Sequence, residues 1–321
     1  MTGLAGQDGS FLAELLVGQG YEVVGTVRPG RGGLGASEHL REQLTAAEVD
    51  LLDPQGLREA VRRHAPDEIY HLAAPSFVPD SWRRPAETVS AILGSTAALL
   101  EEVRDGGAHA RLFVAGSGTM FGDARESPQR EDTPARPLNP YSVAKHGVRE
   151  LAAVFREEQG VFCSCGIAYN HESERRPEQF VTRRVSRGVA AIALGRAERL
   201  TLGDLQAVRD WSFAGDVMRG AWLSLQHSEP MDFVLASGVG HTVEDLVRSA
   251  FAHAGLEVDG RVAVDETLRR APETTSLVGD PSRAREVLGW RAELGFEALV
   301  ARMVDFDLRD LREPPGDDGG S

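Results

Sequence analysis

Thr2-Gly3-Leu4-Ala5-Gly6-Gln7-Asp8-Gly9, running directly into the apolar stretch Ser10-Phe11-Leu12-Ala13-Glu14-Leu15-Leu16, decides the fold. Its glycines fall at a Gly-x-x-Gly-x-x-Gly spacing. Such a run permits a tight turn, lets a pyrophosphate approach backbone N–H groups, and allows a helix to pack closely on a sheet. The helix N-terminus then faces the anion. A glycine loop alone also occurs as a plain turn, so its context matters. Here a predicted helix, Ser10–Gly20, and a predicted strand, Tyr21–Val27, follow it. On that reading Thr2, Gly3, Gly6, Gln7, Asp8 and Gly9 are the cofactor-binding residues of the loop.

Outward from the loop, short β-rich runs alternate with amphipathic helical ones. Glu68–Leu72, Arg111–Ala115 and Val161–Ala168 read as further strands. Pro54–His64, Pro85–Arg104 and Pro140–Glu158 read as helices between them. This alternation predicts an α/β fold, a Rossmann-type doubly wound parallel sheet with helices on both faces. A strand should precede the glycine loop, yet only Met1 and Thr2 do. The expectation is therefore that the first strand is truncated, the true start lying upstream of Met1. Past Asn170 the pattern is less regular, with helices expected at Val181–Leu194, Thr242–Ala254, Pro281–Leu288 and Phe296–Leu311. The expected division is a dinucleotide-binding domain over 1–168 with a returning segment near 200–226. A mainly substrate-binding α/β domain occupies 169–312, and 313–321 is a disordered tail rich in Pro, Gly and Asp.

Composition narrows the class. The 321 residues carry a net charge of −14, which argues against a nucleic-acid partner. No apolar run reaches membrane-spanning length, no signal peptide opens the chain, and no metal-type Cys/His cluster is present. Cys163 and Cys165, two apart on a predicted strand, share a face and are poorly placed for a bridge. They read as reduced thiols in a cytoplasmic protein.

Lys145 is the sole lysine; the other basic residues among the 35 Lys plus Arg are arginines. It stands four residues after Tyr141, in Tyr-Ser-Val-Ala-Lys. In a chain that uses arginine wherever charge alone matters, one compact ammonium a helical turn from a tyrosine reads as chemistry. Ser117, after the strand Arg111–Ala115, completes a Ser117/Tyr141/Lys145 set. A tyrosinate can act as general base on a sugar hydroxyl, and a nearby ammonium and the nicotinamide charge are expected to lower the phenol pKa. Closing the second strand, Arg28 stands where an acid would bind the ribose of NAD, so NADP is favoured, with NAD the alternative. Asp50 and Leu51 are placed at the adenine, and Leu72, Ala73 and Ala74 along the cofactor cleft.

These motifs resemble the extended short-chain dehydrogenase/reductases, and within them the nucleotide-sugar branch. The run Asn170-His171-Glu172-Ser173-Glu174-Arg175-Arg176, continuing to Val181-Thr182-Arg183-Arg184, is similar to GDP-mannose 4,6-dehydratases. So are Gly6-Gln7-Asp8-Gly9-Ser10, Arg209-Asp210-Trp211 and Arg270-Ala271-Pro272-Glu273. The resemblance implies that Asn170, Val181, Arg184, Arg209, Arg270 and Glu273 hold a GDP-linked sugar nucleotide. It implies too that His171 and Arg176 contact the cofactor with Tyr141 and Lys145, that Ser81 faces the sugar, and that the protein is a homodimer or homotetramer.

One position departs. The resembled dehydratases carry a glutamate two residues after the Ser/Thr of the triad, and here Thr119 occupies it. A hydroxyl in place of that base removes about 10²–10⁴-fold in rate unless another group substitutes. The run Ser117-Gly118-Thr119-Met120-Phe121-Gly122 is instead similar to UDP-glucose 4-epimerases. The reading taken first is therefore a C4 epimerase of a GDP-linked sugar with a retained nicotinamide cofactor and Thr119 in the catalytic set. The alternative is a GDP-sugar 4,6-dehydratase whose base is relocated to Asp123, Glu126 or Glu131. A non-catalytic NADP-binding sensor is a third reading, against which the complete triad stands.

Overall fold

The computed structural model describes residues 1–106, 110–265, 267 and 276–312. In chain order its first half contains α1 (Gln7–Gly18), β1 (Val23–Val27), β2 (Leu44–Glu48), α2 (Pro54–His64) and β3 (Glu68–His71). Then follow α3 (Val78–Arg83), α4 (Pro85–Val89), α5 (Ser95–Asp105), β4 (Arg111–Ala115), α6 (Pro140–Gln159) and β5 (Cys163–Ala168). The expected single helix over Pro85–Arg104 is α4 and α5 joined by a π-helical turn, Ser90–Gly94.

The second half contains β6 (Asn170–Glu172), α7 (Val181–Ala193), β7 (Leu200–Leu202), β8 (Val208–Phe213), α8 (Ala214–Gln226) and β9 (Asp232–Leu235). It closes with β10 (Gly240–Thr242), α9 (Val243–His253), β11 (Val262–Val264), α10 (Ser282–Leu288) and α11 (Phe296–Arg312). Strands β3, β4, β5 and β9 pair in parallel in that order, and β1 pairs in parallel with β2.

The first residues enter the middle of the sheet, where a full first strand was expected. Thr2 bridges Thr26 on β1 and His71 on β3, both in parallel. Its N–H donates to Tyr70 O at 2.9 Å, Thr26 N–H donates to Met1 O at 2.9 Å, and Leu4 N–H donates to Thr26 O at 3.0 Å. Met1–Leu4 thus pairs part of the ladder at the carboxyl ends of β1 and β3. The spatial order is β2, β1, Met1–Leu4, β3, β4, β5, β9. The crevice therefore opens beside the carboxyl end of the first strand, where the strand order reverses.

Apolar residues cover both faces. On one, Leu57, Ile92, Leu99, Val148 and Ala152 from α2, the π-helical turn, α5 and α6 pack with Leu112, Val114 and Ile167 of the sheet. On the other, Phe11, Leu12 and Leu16 of α1 meet Val217 and Ala221 of α8, closed by Trp290, whose indole N–H donates to Asp216 O at 2.7 Å. A third core joins α7, α9 and α11 to β7 and β8. It is pinned by a buried ion pair, Arg183 to Asp307 at 2.7 Å, with Ser186 Oγ donating to the same carboxylate at 2.6 Å. The segment returning to the large sheet is α8 and β9, residues 214–235. Residues 200–213 belong instead to the smaller layer, because β7 pairs with β11, and β8 with β6 and β10. The expectation of 200–226 placed that return too early. The tail 313–321 lies outside the described residues.

Candidate active site

A cleft of about 1280 Å³ opens along the carboxyl ends of the sheet strands. Its glycine-rich wall leaves no room for side chains. Gly3 sits at φ +81°, and a Cβ on Gly9 would lie 2.2 Å from Gly3 O. Gly6 caps α1 in extended geometry, so the free N–H groups of the first turn face the cleft. This cradle fits a dinucleotide diphosphate. Gly6, Gln7, Asp8 and Gly9 line it, with Arg28, Asp50, Leu51, Leu72, Ala73 and Ala74 further along.

Ser117, Tyr141 and Lys145 sit at the floor. Ser117, two residues past the end of β4, is in extended conformation and caps a short 3₁₀ turn, accepting Thr119 N–H at 3.3 Å. Asn139 caps α6 by accepting Ser142 N–H at 2.9 Å, and Pro140 presets the first turn. Tyr141 and Lys145, four apart, therefore share one face of α6. Lys145 Nζ donates to Ala115 O at 2.6 Å and lies 5.9 Å from the centre of the Tyr141 ring. Burial pushes the ammonium down to about 8, opposed by Cys165 and Asp8. Tyr141 is itself held above its ordinary value: burial raises it, while the neighbouring Ser117 hydroxyl and the Arg176 guanidinium lower it and Asp8 raises it.

That result corrects one expectation. The chain alone does not make the phenol acidic. Lys145 directs its ammonium at a backbone carbonyl, and the cation that lowers Tyr141 is Arg176. The positive charge of an oxidised nicotinamide is the contribution that the chain does not supply.

Thr119 Oγ1 stands 3.0 Å from Ser117 Oγ, so the carboxylate of the resembled pattern is replaced by a second hydroxyl. None of Asp123, Glu126 and Glu131 lines the cleft. Glu126 accepts Thr133 Oγ1 at 2.7 Å, and Glu131, 4% exposed, accepts Val234 N–H at 2.8 Å. Relocation of a base to those three residues is not met. The carboxylates that do line the cleft are Asp8, Asp50, Glu87, Glu172 and Asp204.

Of the expected substrate residues, Asn170, Val181, Arg184 and Arg209 line the cleft, as do His171 and Arg176. Two expected residues stand off the cleft lining. Thr2 lies beneath the loop and not in the cleft; its hydroxyl contacts His71 Nδ1 at 2.9 Å and accepts Leu72 and Ala73 N–H at 3.1 Å. Ser81 is 2% exposed and donates to Val78 O at 2.7 Å, within its own helix and away from the cleft lining. Arg270 and Glu273 lie outside the described residues. Sequence reading missed Phe180, which forms an edge-to-face pair with Phe77 5.8 Å away on the cleft wall and carries Arg176 stacked 3.6 Å over its ring. Glu172 was also missed: it accepts Thr182 Oγ1 at 2.6 Å and pairs with Arg176 at 3.2 Å.

Cys163 and Cys165 are free and buried, and burial pushes both thiols up. Among the described residues no group of three or more His, Cys, Asp and Glu is arranged to hold a metal, and no helix is long and apolar enough to cross a membrane.

A glycine cradle at the strand-order reversal, with Ser, Tyr and Lys at the cleft floor, defines an extended short-chain dehydrogenase/reductase of Rossmann type. Comparison with known proteins gives the family. The profile of the GDP-mannose 4,6 dehydratase family matches residues 1–303, and the chain belongs to that family. It is 40% identical over 321 residues to GDP-mannose 4,6 dehydratase 2 of Arabidopsis thaliana, covering 96% of this chain and 86% of the relative. Among solved structures, UDP-glucose 4-epimerase of Thermus thermophilus, complexed with NAD, superposes with a TM-score of 0.83 at 25% identity, covering 95% of this chain and 97% of that one. RMD from Pseudomonas aeruginosa, complexed with NADPH, gives 0.80 at 24%, covering 96% and 97%. The protein is thus a nucleotide-sugar enzyme of the nicotinamide-dependent type. The whole-chain likeness favours the dehydratase alternative over the epimerase reading taken first.

Proposed function

We propose that the protein binds NADP and a GDP-linked hexose in this cleft, oxidises the sugar at C4, and carries the 4-keto sugar on to loss of water. The observation that carries the reading is the Ser117/Tyr141/Lys145 cluster at the floor of a glycine-walled cleft, in a chain of the dehydratase family over residues 1–303. Arg28 and Arg31 line the adenosine end of the cleft without an acid at the strand terminus, which supports NADP, with NAD the alternative. Arg184 and Arg209 supply forked donors suited to a diphosphate. A bound nicotinamide would supply the hydride acceptor for oxidation at C4. Tyr141 takes the proton of the C4 hydroxyl, and Ser117, beside the phenol, orients the reacting oxygen. Lys145 fixes the α6 face beneath the phenol through the Ala115 carbonyl.

A second reading, 4-epimerisation, is favoured by one specific observation: position 119 carries a hydroxyl and not a carboxylate. Both readings share the C4 oxidation. Exposed Val143 and Val154 on α6, about half accessible, support a dimer through that helix. The test incubates the protein with NADP and GDP-mannose in heavy water. Loss of one water with solvent deuterium at C5 supports dehydration. An inverted C4 without solvent deuterium supports epimerisation, and absence of turnover on GDP-linked sugars sinks both.

A further inference from the structure

Asp8, in the first turn of α1, and His171, on β6, form a pair whose chemistry the triad does not use. Both ring nitrogens of His171 face acceptors. Nδ1 is 2.8 Å from the Tyr169 carbonyl oxygen and Nε2 is 2.9 Å from Asp8 Oδ2. A carbonyl only accepts, so Nδ1 carries a hydrogen. With a carboxylate at Nε2 the contact is complete when that nitrogen is protonated too, as in an imidazolium. Gln7 braces the pair. Its amide donates to Asp8 Oδ1 at 3.0 Å and to His171 O at 3.1 Å, and its oxygen accepts Ser173 Oγ at 2.8 Å. Gln7 and Ser173 are buried, so this geometry is built in and not a passing surface contact.

The location gives the pair a consequence. Asp8 belongs to the turn whose N–H groups would meet a diphosphate, and a bare carboxylate there would repel it. We propose that Asp8 is a positioning residue for the dinucleotide: it holds His171 as an imidazolium at the anion cradle, so that the pair is neutral overall and the diphosphate is accepted. The inference rests on the reading of this cleft as a dinucleotide site. Burial lowers the imidazole, but Asp8 more than offsets it and the net direction is up; Asp8 is driven down by His171 against its own burial. The other charged or titratable groups are Arg176, which disfavours the imidazolium, and, from α6, Tyr141 and Lys145, both of which feel Asp8. On β8 the residue paired with His171 is Ser212, which carries no charge. An imidazolium whose folded value is raised is lost as pH rises through that value, leaving the pair net negative.

Dinucleotide affinity measured against pH in the full-length protein tests this. Wild type weakens on the order of tenfold as His171 deprotonates, the effect of one partly screened charge beside the diphosphate. Asp8→Asn keeps the hydrogen bonds, since its amide donates to a neutral Nε2, and loses that pH dependence. His171→Gln leaves Asp8 unpaired and binds about tenfold more weakly, with a flat profile in the same range. The nitrogen spectrum of ¹⁵N-histidine-labelled protein reports the state of the ring directly: imidazolium at neutral pH in wild type, neutral in Asp8→Asn. A neutral ring in wild type, or an Asp8→Asn variant with the wild-type pH profile, overturns the proposal. Absence of dinucleotide binding at every pH overturns the reading of the cleft instead, while the ring spectrum still decides the pair. Should Asp8→Asn fail to fold, the wild-type titration decides alone.

Discussion

Replacing Lys145 by methionine should separate stability from activity. The ammonium is 6% exposed and holds one protein acceptor, Ala115 O at 2.6 Å. Burial lowers its pKa from 10.5 to about 8. That difference corresponds to a folding penalty on the order of 3 kcal/mol while both folded and unfolded chains are protonated. Lys145→Met removes the penalty and leaves the Ala115 carbonyl unpaired, which costs about 1–3 kcal/mol. At neutral pH the variant should therefore be about as stable as wild type or up to about 2 kcal/mol more so. The pH dependence is sharper. Below about 8 both states of wild type hold the proton, and above it the folded state releases it first, until the unfolded value of 10.5 is passed. The unfolded chain binds more protons in that window, so wild type gains stability relative to the variant, on the order of 3 kcal/mol across it. Urea denaturation of both proteins at several pH values measures this, and turnover should fall about 10²-fold or more in the variant. Equal pH slopes would refute the burial argument. A Lys145→Arg enzyme with wild-type turnover would refute the chemical one, because a guanidinium brings five fixed donors to a site with one protein acceptor.

Further outcomes follow from the geometry. Gly9→Ala should lose dinucleotide binding in calorimetry, since its Cβ would sit 2.2 Å from Gly3 O and the backbone must move. Asp307→Ala should lower unfolding stability by about 3–5 kcal/mol, because Arg183 would be left buried without its partner carboxylate; a loss under about 1 kcal/mol contradicts that assignment. Thr119→Glu places a carboxylate beside Ser117 and should raise water loss relative to epimerisation by about 10²–10⁴-fold if that position governs the elimination. An unchanged product ratio, read by mass spectrometry, would show that another group takes the C5 proton.

The parallel sheet and the Ser117/Tyr141/Lys145 cluster were legible because their signals are local. The glycine spacing, the turn residues Asn139-Pro140 and the Tyr141/Lys145 interval are each set by one helix or loop. Strand β2 was missed because Leu44-Thr-Ala-Ala-Glu lies at the sheet edge, largely exposed, with little β-branching. The short strands β6, β7, β10 and β11 were missed because three residues carry no usable period. Thr2 and Ser81 stand off the cleft lining for a common reason: a hydroxyl near a cleft serves nearby backbone as readily as a ligand, and spacing does not separate the two. The Asp8–His171 contact joins residues 163 apart, so no local pattern announces it. Acidity was misjudged at Tyr141 because desolvation depends on packing, which the order of residues does not reveal.

Following one hydrogen isotope tests the C4 chemistry most directly. Enzyme loaded with oxidised NADP receives a GDP-hexose deuterated at C4, and the nicotinamide and product are analysed after a single turnover. The account predicts transient nicotinamide reduction with deuterium on the ring, followed by its return to the sugar, and neither event in Tyr141→Phe. Product formed with deuterium never leaving C4, or a Tyr141→Phe enzyme as fast as wild type, would contradict it.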